Sequence, residues 1–312
     1  MKKFLQLFIL LLSICSCSKE DKSEKAAAKM QEFVIDISGY AHNFDQDFII
    51  IPQNGIELAY HETDPALGLD TEYFSAIDGF GVEELFYDGS FDPDQEQLDI
   101  LRELVENKKV LVSDYVSEEQ NIEDAIRRNL AENFICFPRS RDNYYYNHLP
   151  GYIINENLSD ISELEQAQNY LYLISTDLFP TRQSMLDALK STNYDMVLID
   201  LFYEDVELTF NEIQELKTKA NGGKRLVISY LNIGSAENFR YYWQDDWKLH
   251  HPDWIKKKYE GYEDEFWVEF WAKPWQDIIF GNEGSYLKKI IDAGFDGVYL
   301  DNVEAYYFLY YN

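Results

Sequence analysis

Carboxylate and amide side chains follow several apolar stretches of the sequence, and these are the groups through which chemistry could be done. They are Asp301 and Asn302 after Val-Tyr-Leu, Glu83 and Glu84 after Phe-Gly-Val, Asp200 after Val-Leu-Ile, Asn54 after Ile-Ile-Pro-Gln, and Asp114 after Leu-Val-Ser. Functional residues of α/β barrels cluster at the carboxyl ends of strands. Two carboxylates at one such edge suit glycosidic bond cleavage, in which one protonates the leaving oxygen and the other attacks or stabilises the sugar cation.

Alternation along two of these stretches selects the pair that shares an inner face. Neighbouring residues of a strand point to opposite faces of the sheet. In the stretch that ends at Asp301, alternate apolar residues face the covering helices, which turns Tyr299 and Asp301 inward. The same parity places Glu83, and not Glu84, on the inner face of its strand. We therefore expect Asp301 and Glu83 to face one barrel mouth.

The elements that must position these side chains alternate between strand and helix. Eight apolar strands are predicted, and their alternation with helices is typical of a parallel sheet covered by helices. They lie at residues 47–51, 77–85, 109–116, 170–175, 195–202, 225–234, 266–271 and 297–303, with a short extended piece at 134–137. Eight such units favour a closed (β/α)8 TIM barrel over residues 30–312; an open doubly wound sheet is the alternative. The absence of a glycine-rich phosphate loop argues against nucleotide binding.

A polar segment rich in Asn and Tyr, about residues 138–165, divides the predicted strands into two groups. It contains two prolines and no clear periodicity, so we expect an internal linker. A tandem of two unrelated half domains is the alternative to a single barrel.

The first residues have the features of a lipoprotein signal. A basic start precedes an apolar run that is too short to span a bilayer, and Ile14-Cys-Ser-Cys17 resembles the bacterial lipobox. Residues 1–17 are therefore predicted to be a signal peptide with lipid attached at Cys17, and residues 18–29 a charged, Ala-rich tether. This predicts a lipid-anchored protein of the bacterial cell envelope, at the outer membrane or cell surface. An ordinary cleaved signal or an N-terminal helix is the alternative.

Composition limits the partners and cofactors. The chain has 57 acidic and 27 basic residues, a formal charge of −30, which repels nucleic acid and attracts cationic partners; solubility outside the cell is the alternative explanation. After processing, Cys17 and Cys136 would remain, which provides no disulfide framework or cysteine metal site. The five histidines lack the spacing of a HExxH zinc site. We expect no metal and no organic cofactor.

Long runs around these strand ends resemble glycoside hydrolase family 114, a TIM-barrel family that includes endo-α-1,4-polygalactosaminidases. The runs are YLNIGSAENFRYYW (230–243), WVEFW (267–271), GFDGVYLDNV (294–303), IPQNG (51–55) and GVEELFY (81–87). The resemblance implies that Asp301 is the nucleophile or charge stabiliser and Glu83 the general acid/base. The residues that it implies around the sugar are Asp200, Tyr230, Glu237, Asn302, Asn54 and Trp271. The implied substrate is a polysaccharide, such as a cationic amino-sugar polymer, or a related α-linked glycan.

The order of these motifs is reversed relative to the family, in which the YLNIG-like and GFDGVYLD-like runs precede PQNG and VEELFY. We therefore expect a circularly permuted barrel, with the original ends joined through the linker. Three departures from the family pattern are Ser235 for a Glu, Glu269 for an Arg and Ala272 for an Asp. Because of them, a non-catalytic glycan-binding lipoprotein remains the alternative to a hydrolase, and a structural envelope protein is a third reading.

Overall fold

A computed structural model describes residues 2–139 and 146–311, with side chains described from Lys19 onward. Its helices are α1 Lys2–His42, α2 Thr71–Ala76, α3 Gln95–Leu104, α4 Ile122–Ala131, α5 Arg182–Lys190, α6 Phe210–Leu216, α7 Lys273–Ile279, α8 Tyr286–Ala293 and α9 Ala305–Phe308. Its strands are β1 Ile49–Pro52, β2 Gly79–Phe91, β3 Lys109–Val116, β4 Ile135–Cys136, β5 Tyr170–Leu173, β6 Met196–Ile199, β7 Phe202–Tyr203, β8 Val206–Glu207, β9 Leu226–Asn232, β10 Ser235–Glu237, β11 Ile255–Lys258, β12 Glu265–Val268 and β13 Gly297–Asp301.

The fold is mixed α/β, and its core is a parallel sheet in two hydrogen-bonded groups. One group has the order β1-β13-β9-β6-β5 and the other β2-β3-β4, and every pairing within them is parallel. A parallel bridge between Gln53 and Gly81 joins β1 to β2. The outer strands β4 and β5 approach each other through the rings of Phe137 and Tyr170, whose centroids are 5.9 Å apart. Strands β5, β6 and β9 are buried along their length, which explains their continuous apolar runs.

Two strand assignments made from the sequence need correction. The stretch 266–271 was expected in the barrel, but β12 pairs antiparallel with β10 and β11 in a separate small sheet. The short piece at 134–137 instead supplies β4, which pairs with β3. Both stretches are short and apolar, so hydrophobicity alone does not distinguish a strand of the main sheet from one beside it.

Helix boundaries follow from capping residues. Asp94 accepts a hydrogen bond from the backbone N–H of Gln97 at 3.0 Å at the start of α3, and Thr181 accepts one from Ser184 at 3.1 Å at the start of α5. Helix α8 ends at Gly294, whose φ of 83° is in the left-handed region.

The predicted tether at residues 18–29 is wrong in its described part. Residues 19–29 belong to α1, and Ser23, Ala26 and Ala27 are buried. The hydroxyl of Ser23 donates to the carbonyl of Tyr306 at 3.2 Å. Small side chains here let the helix pack closely on the neighbouring elements, so the segment is ordered rather than extended. Among the helices of the described residues, none is long and apolar enough to cross a membrane.

The segment predicted as a linker is also part of the packed structure where it is described. Tyr146, Ile161 and Leu164 are buried in the same hydrophobic core as residues of both strand groups. Near its end, the ammonium group of Lys219 donates to the carbonyl of Ser159 at 2.8 Å. Hydrogen bonds hold this segment because its irregular backbone cannot satisfy itself.

Acidic residues at the amino ends of three strands link neighbouring strands, and we call Asp78, Asp195 and Asp296 the lower-edge acids. Their carboxylates accept backbone N–H groups at 2.8 Å, from Ile50, Gln168 and Val227 respectively. Two of them also pair with lysine: Asp195 with Lys219 at 2.5 Å, and Asp296 with Lys217 at 2.6 Å.

Candidate active site

The structure brings the two predicted catalytic residues together at the carboxyl ends of the strands. The Tyr230 hydroxyl donates to Oδ2 of Asp301 at 2.5 Å, and the backbone N–H of Asn302 donates to Oδ1 at 2.7 Å. The Tyr146 hydroxyl donates to Oε1 of Glu83. The two carboxyl groups are near enough for the charge of Glu83 to contribute to the raised pKa of Asp301.

The surroundings of Asp301 bring the pKa of its carboxyl group close to neutral pH. Burial has the largest effect and, with the charges of Glu83 and Glu237, raises the pKa of Asp301 to about 7. The hydrogen bonds from Tyr230 and from the backbone of Asn302 act in the opposite direction. A carboxyl group that is shifted by burial and by neighbouring charges is typical of a functional site.

Three residues beside this pair have a left-handed backbone: Asn54, Glu84 and Asn302, with φ of 58°, 57° and 61°. Asparagine tolerates this region better than most residues. The side-chain carbonyl of Asn54 accepts the backbone N–H of Glu83 at 3.1 Å. Glu84 lies in an irregularity of the β2–β3 pairing that begins after Glu83, and its carboxylate accepts from Nη2 of Arg139 at 3.0 Å. The two predicted asparagines therefore orient Glu83 and Asp301, respectively.

A layer of tyrosines lies below the carboxylates. The ring of Tyr146 stacks on Tyr172 with centroids 3.7 Å apart, and Tyr172 meets Tyr299 edge-on at 5.4 Å. A Cβ atom at Gly81 would lie 1.9 Å from the Tyr299 hydroxyl, so a residue without a side chain is required there. Tyr299 therefore faces Gly81, in agreement with the predicted inward parity of both strands.

A cavity of about 410 Å³ lies beside Tyr230 and contains the predicted residues Asp200 and Glu237. Arg240 lies between these two acids: its Nη1 is 2.7 Å from Asp200 and its Nε is 2.8 Å from Glu237. Aromatic residues line the same cavity, as expected for a surface that stacks on sugar rings; they are Phe202, Tyr230, Phe239 and Tyr241.

A second cavity, of about 520 Å³, has Tyr146 in its lining. Its walls include Phe137, Arg139, His148 and Tyr152. Tyr230, which contacts Asp301, lines the first cavity, and Tyr146, which contacts Glu83, lines the second.

Three residues of the site were missed by the sequence analysis: Tyr146, Arg240 and Glu265. Tyr146 lies in the segment taken as a linker, and Arg240 in an aromatic run that offered no separate signal. Glu265 stands one residue before its predicted strand. Burial, with the charge of Glu237, raises the pKa of Glu265 to about 8.

Glu304, which follows β13, is a further acid whose pKa is raised. Burial and the charge of Glu57 raise the pKa of Glu304 to about 8, and a hydrogen bond with Asn54 opposes the shift. The sequence analysis assigned no role to Glu304.

Two predicted site residues are not part of this group. Trp271 packs edge-on against Phe270 at 4.8 Å, and the ammonium group of Lys29 in α1 lies 4.0 Å from its ring centroid. These contacts turn Trp271 towards α1, so the structure gives no support to a substrate contact. The side chain of Cys17, the predicted lipidation site, lies outside the described residues.

The three departures from the family pattern have different surroundings. Ser235 donates its hydroxyl to Glu265. Glu269 pairs with Lys256 at 3.0 Å, and Ala272 is the N-cap of α7. Within the described residues, no group of three or more His, Cys, Asp or Glu side chains is arranged to hold a metal ion.

Comparison with known proteins finds a family that the second half of the chain resembles. Residues 161–311 match the model of glycoside-hydrolase family GH114. An uncharacterized protein of Methanocaldococcus jannaschii is 31% identical over 151 residues, which cover 48% of this chain and 41% of that protein. An uncharacterized protein of Thermotoga maritima is 29% identical over 149 residues, covering 48% and 45%. One of Deinococcus radiodurans is 35% identical over 124 residues, covering 40% and 38%.

The chain therefore spans less than half the length of the curated relatives it matches. The matched region contains β5 to β13, and with them Asp301, Asp200, Tyr230 and Glu237. Residues 161–311 are therefore similar to glycoside-hydrolase family GH114.

Proposed function

We propose that the protein is an exported glycoside hydrolase that cleaves an amino-sugar polymer, or a related α-linked glycan, with Asp301 and Glu83 as its two carboxylates. The observation that carries the proposal is their arrangement: each of these two acids, from distant parts of the chain, is hydrogen-bonded to a tyrosine that lines a cavity. The family match over residues 161–311 supports the general reaction class.

The hydrogen bonds suit a division of roles between the two acids. Tyr230 and the backbone of Asn302 donate to both oxygens of Asp301, which favours its carboxylate form as a nucleophile or charge stabiliser. Glu83 shares a hydrogen bond with Tyr146 and would protonate the leaving oxygen and then activate water. A separation of about 5 Å between the two carboxyl groups would give retention, and about 6.5–9.5 Å inversion.

The charge of the first cavity favours a cationic sugar. Its acidic lining residues are Asp177, Asp200, Glu204, Asp205 and Glu237, and Arg240 is the basic residue among the lining residues described. An ammonium group on the sugar would be attracted to this excess of carboxylates, whereas an acidic sugar would be repelled. Each of the two acids is hydrogen-bonded to a tyrosine that lines a cavity of its own, which suits a polymer that extends past the cleaved bond.

The departures at Ser235, Glu269 and Ala272 motivate a second candidate, a non-catalytic glycan-binding lipoprotein. Two of these positions, Glu269 and Ala272, flank Phe270 and Trp271, which pack against α1. At Ser235 the hydroxyl meets the carboxyl group of Glu265, so a carboxyl group is present at that place even though residue 235 lacks one. For this reason we favour the hydrolase.

The test is reducing-end release from de-N-acetylated α-1,4-linked galactosamine polymer, with the fully N-acetylated polymer as the control for substrate charge. We expect release by the wild type from the cationic polymer and no release by Asp301→Asn. Binding of the polymer without release by the wild type would support the glycan-binding protein instead. Neither binding nor release would support a structural envelope protein.

We also propose that the eight parallel strands form a closed, circularly permuted barrel. The C-terminal strand β13 pairs with the N-terminal strand β1, and α1 contacts the segment before the C-terminus through Ser23 and Tyr306. The family match begins at residue 161, as expected if the first half is out of order. A re-permuted chain that joins residue 311 to residue 30 through a short linker and opens near residue 147 should fold and keep its activity. Failure of several such variants to fold would count against the permutation.

Export and lipid attachment at Cys17 form a separate proposal, which rests on the lipobox-like sequence alone. Mass spectrometry of the membrane fraction should find a mature N-terminus at Cys17 that carries acyl chains, and Cys17→Ser should release the protein from membranes. A soluble wild-type protein with an unmodified N-terminus would refute the anchor.

A further inference from the structure

The side chain of Glu265 connects the ends of two central strands. Its Oε1 atom accepts hydrogen bonds from Nδ2 of Asn232 at 2.9 Å and from Nδ2 of Asn302 at 3.0 Å. The Ser235 hydroxyl donates to the same oxygen. Asn232 ends β9 and Asn302 follows β13, so one carboxyl group from β12 holds the two strand ends that carry Tyr230 and Asp301.

Asn302 transmits this contact to Asp301. Its backbone N–H donates to Oδ1 of Asp301 at 2.7 Å, and its own backbone is left-handed, with φ of 61°. The other end of its side-chain amide accepts from the Tyr259 hydroxyl at 3.2 Å. A Cβ atom at Gly234 would lie 1.9 Å from the carbonyl oxygen of Asn302, so the turn before Ser235 packs directly on this residue.

We propose that Glu265 is a positioning residue for Asp301: its carboxyl group fixes the side chain of Asn302, which keeps the backbone N–H of Asn302 on the Asp301 carboxylate. The inference rests on the proposed function for its consequence in catalysis. Its structural part, control of the Asp301 carboxyl group by Glu265, stands independently of any substrate.

The electrostatics of Glu265 fit a neutral acid. Burial has the largest effect, and with the charges of Glu237 and Asp301 it raises the pKa of Glu265 to about 8; the hydrogen bonds from Ser235 and Asn232 oppose the shift. Below that pH, Glu265 accepts its three hydrogen bonds without adding a negative charge beside Asp301. The titratable groups that interact with Glu265 or Asp301 are Glu237 in β10, Tyr230 on β9, Glu83 on β2, Tyr172 on β5, Tyr299 on β13, and Tyr242, Tyr259 and Glu304 from the adjoining segments. Arg240 pairs with Glu237.

The experiment follows the Asp301 carboxyl group directly in the full chain by NMR titration of protein labelled at the aspartate carboxyl carbon, with Asp301→Asn used to assign the signal. Glu265→Gln keeps an acceptor without a charge, so the Asp301 midpoint should stay close to its wild-type value near 7. Glu265→Leu removes the acceptor and frees Asn302, so the midpoint should rise by about half a pH unit or more. Glu263→Gln and Glu263→Leu are the matched controls, since Glu263 is exposed on the same hairpin, and neither should move the midpoint.

An unchanged Asp301 midpoint in a folded Glu265→Leu variant would overturn the proposal, as would an equal rise in Glu265→Gln. Should the Leu variant fail to fold, glutamate-labelled Asp301→Asn provides a second measurement. Loss of the Asp301 charge should lower the midpoint of Glu265 below its wild-type value near 8, and an unchanged midpoint would contradict the contact.

The activity readout is separate from the titration. If the wild type hydrolyses the polymer, kcat of Glu265→Gln at pH 7 should stay within about threefold of wild type, and kcat of Glu265→Leu should fall at least about tenfold. A tenfold loss in the Gln variant would overturn the neutral-acid role. If the wild type releases no sugar, the proposed function fails, whereas the titrations still decide the positioning role.

Discussion

The two ends of strand β13 carry acids in opposite surroundings. At its amino end, Asp296 pairs with Lys217 at 2.6 Å and accepts the backbone N–H of Val227 at 2.8 Å. At its carboxyl end, Asp301 has a tyrosine hydroxyl and a backbone N–H as donors. Burial raises the pKa of both, but Lys217 opposes the shift at Asp296, whereas the charges of Glu83 and Glu237 add to it at Asp301.

The difference separates a structural role from a chemical one. The carboxylate of Asp296 links Lys217 to the backbone of the neighbouring strand β9. In the same way, the carboxylate of Asp195 links Lys219 to the backbone N–H of Gln168. At the carboxyl end of β13, the like charges of Glu83 and Glu237 surround Asp301, and its pKa is raised to about 7. Residues at the carboxyl ends of barrel strands carry function and those at the amino ends carry stability, which is the division that these contacts indicate.

The largest expected effect comes from making one chemical change at both ends of β13. Asp301→Asn should lower kcat for polymer cleavage by about 10⁴-fold, because an amide can neither attack nor stabilise the sugar cation as a carboxylate does. Asp296→Asn should leave kcat per folded molecule unchanged and lower the free energy of unfolding by about 1–3 kcal/mol, because Lys217 loses a charged partner. Initial rates and urea unfolding at pH 8 measure both. Similar losses of activity in the two variants would remove the distinction.

The next effect concerns the buried pair at the lower edge. Lys219→Met leaves the fully buried carboxylate of Asp195 without its cation, which should lower the free energy of unfolding by about 3–5 kcal/mol. Lys224→Met changes an exposed lysine of the same region and should cost less than about 0.5 kcal/mol. Urea unfolding of both variants decides the matter, and equal stabilities would mean that the pair does not hold the lower edge.

The pH dependence of stability tests the raised pKa values of the acids around Asp301. The pKa values of Asp301, Glu265 and Glu304 are raised in the folded state to about 7, 8 and 8. The folded protein therefore binds more protons than the unfolded chain between about pH 4 and 8, and its stability is greatest at the acidic end of that window and is lost as the pH rises. We expect a decrease on the order of 1–3 kcal/mol between pH 5 and 8, and a smaller decrease in Asp301→Asn. A free energy of unfolding that increases from pH 5 to pH 8 would contradict the raised pKa values.

The smallest expected effect comes from the hydroxyl group that contacts Glu83. Tyr146→Phe removes this donor and keeps the ring that stacks on Tyr172, so kcat should fall roughly tenfold with little change in thermal stability. Tyr307→Phe, at an exposed position away from the site, is the control and should leave kcat unchanged. A Tyr146→Phe variant with wild-type kcat would show that the hydroxyl does not assist Glu83.

Local pattern was sufficient for the parts of the site that lie on regular strands. The period of two in the strands of Glu83 and Asp301 predicted that both face inward, and the contacts of Tyr299 with Gly81 agree. It was insufficient where tertiary contacts decide. Glu265 acts from a strand outside the main sheet, and Tyr146 reaches Glu83 from a segment without periodicity.

The errors of the sequence analysis have the same origin. Residues 19–29 have a charged composition typical of a tether, but the small side chains of Ser23, Ala26 and Ala27 pack against the rest of the chain. Trp271 lies in a family-like run, yet its ring meets Lys29. In each case, the position of the segment in the fold depends on a contact with a distant element, which the local composition or motif does not specify.

The most direct test of the account is a double-mutant cycle on reducing-end release, with wild type, Asp301→Asn, Glu83→Gln and the double variant. If the two carboxyl groups act as a unit on one bond, each single change should lower kcat by several orders of magnitude, and the double variant should be little slower than the slower single variant. Losses that multiply fully in the double variant, or single variants within about tenfold of wild type, would contradict joint action on one glycosidic bond.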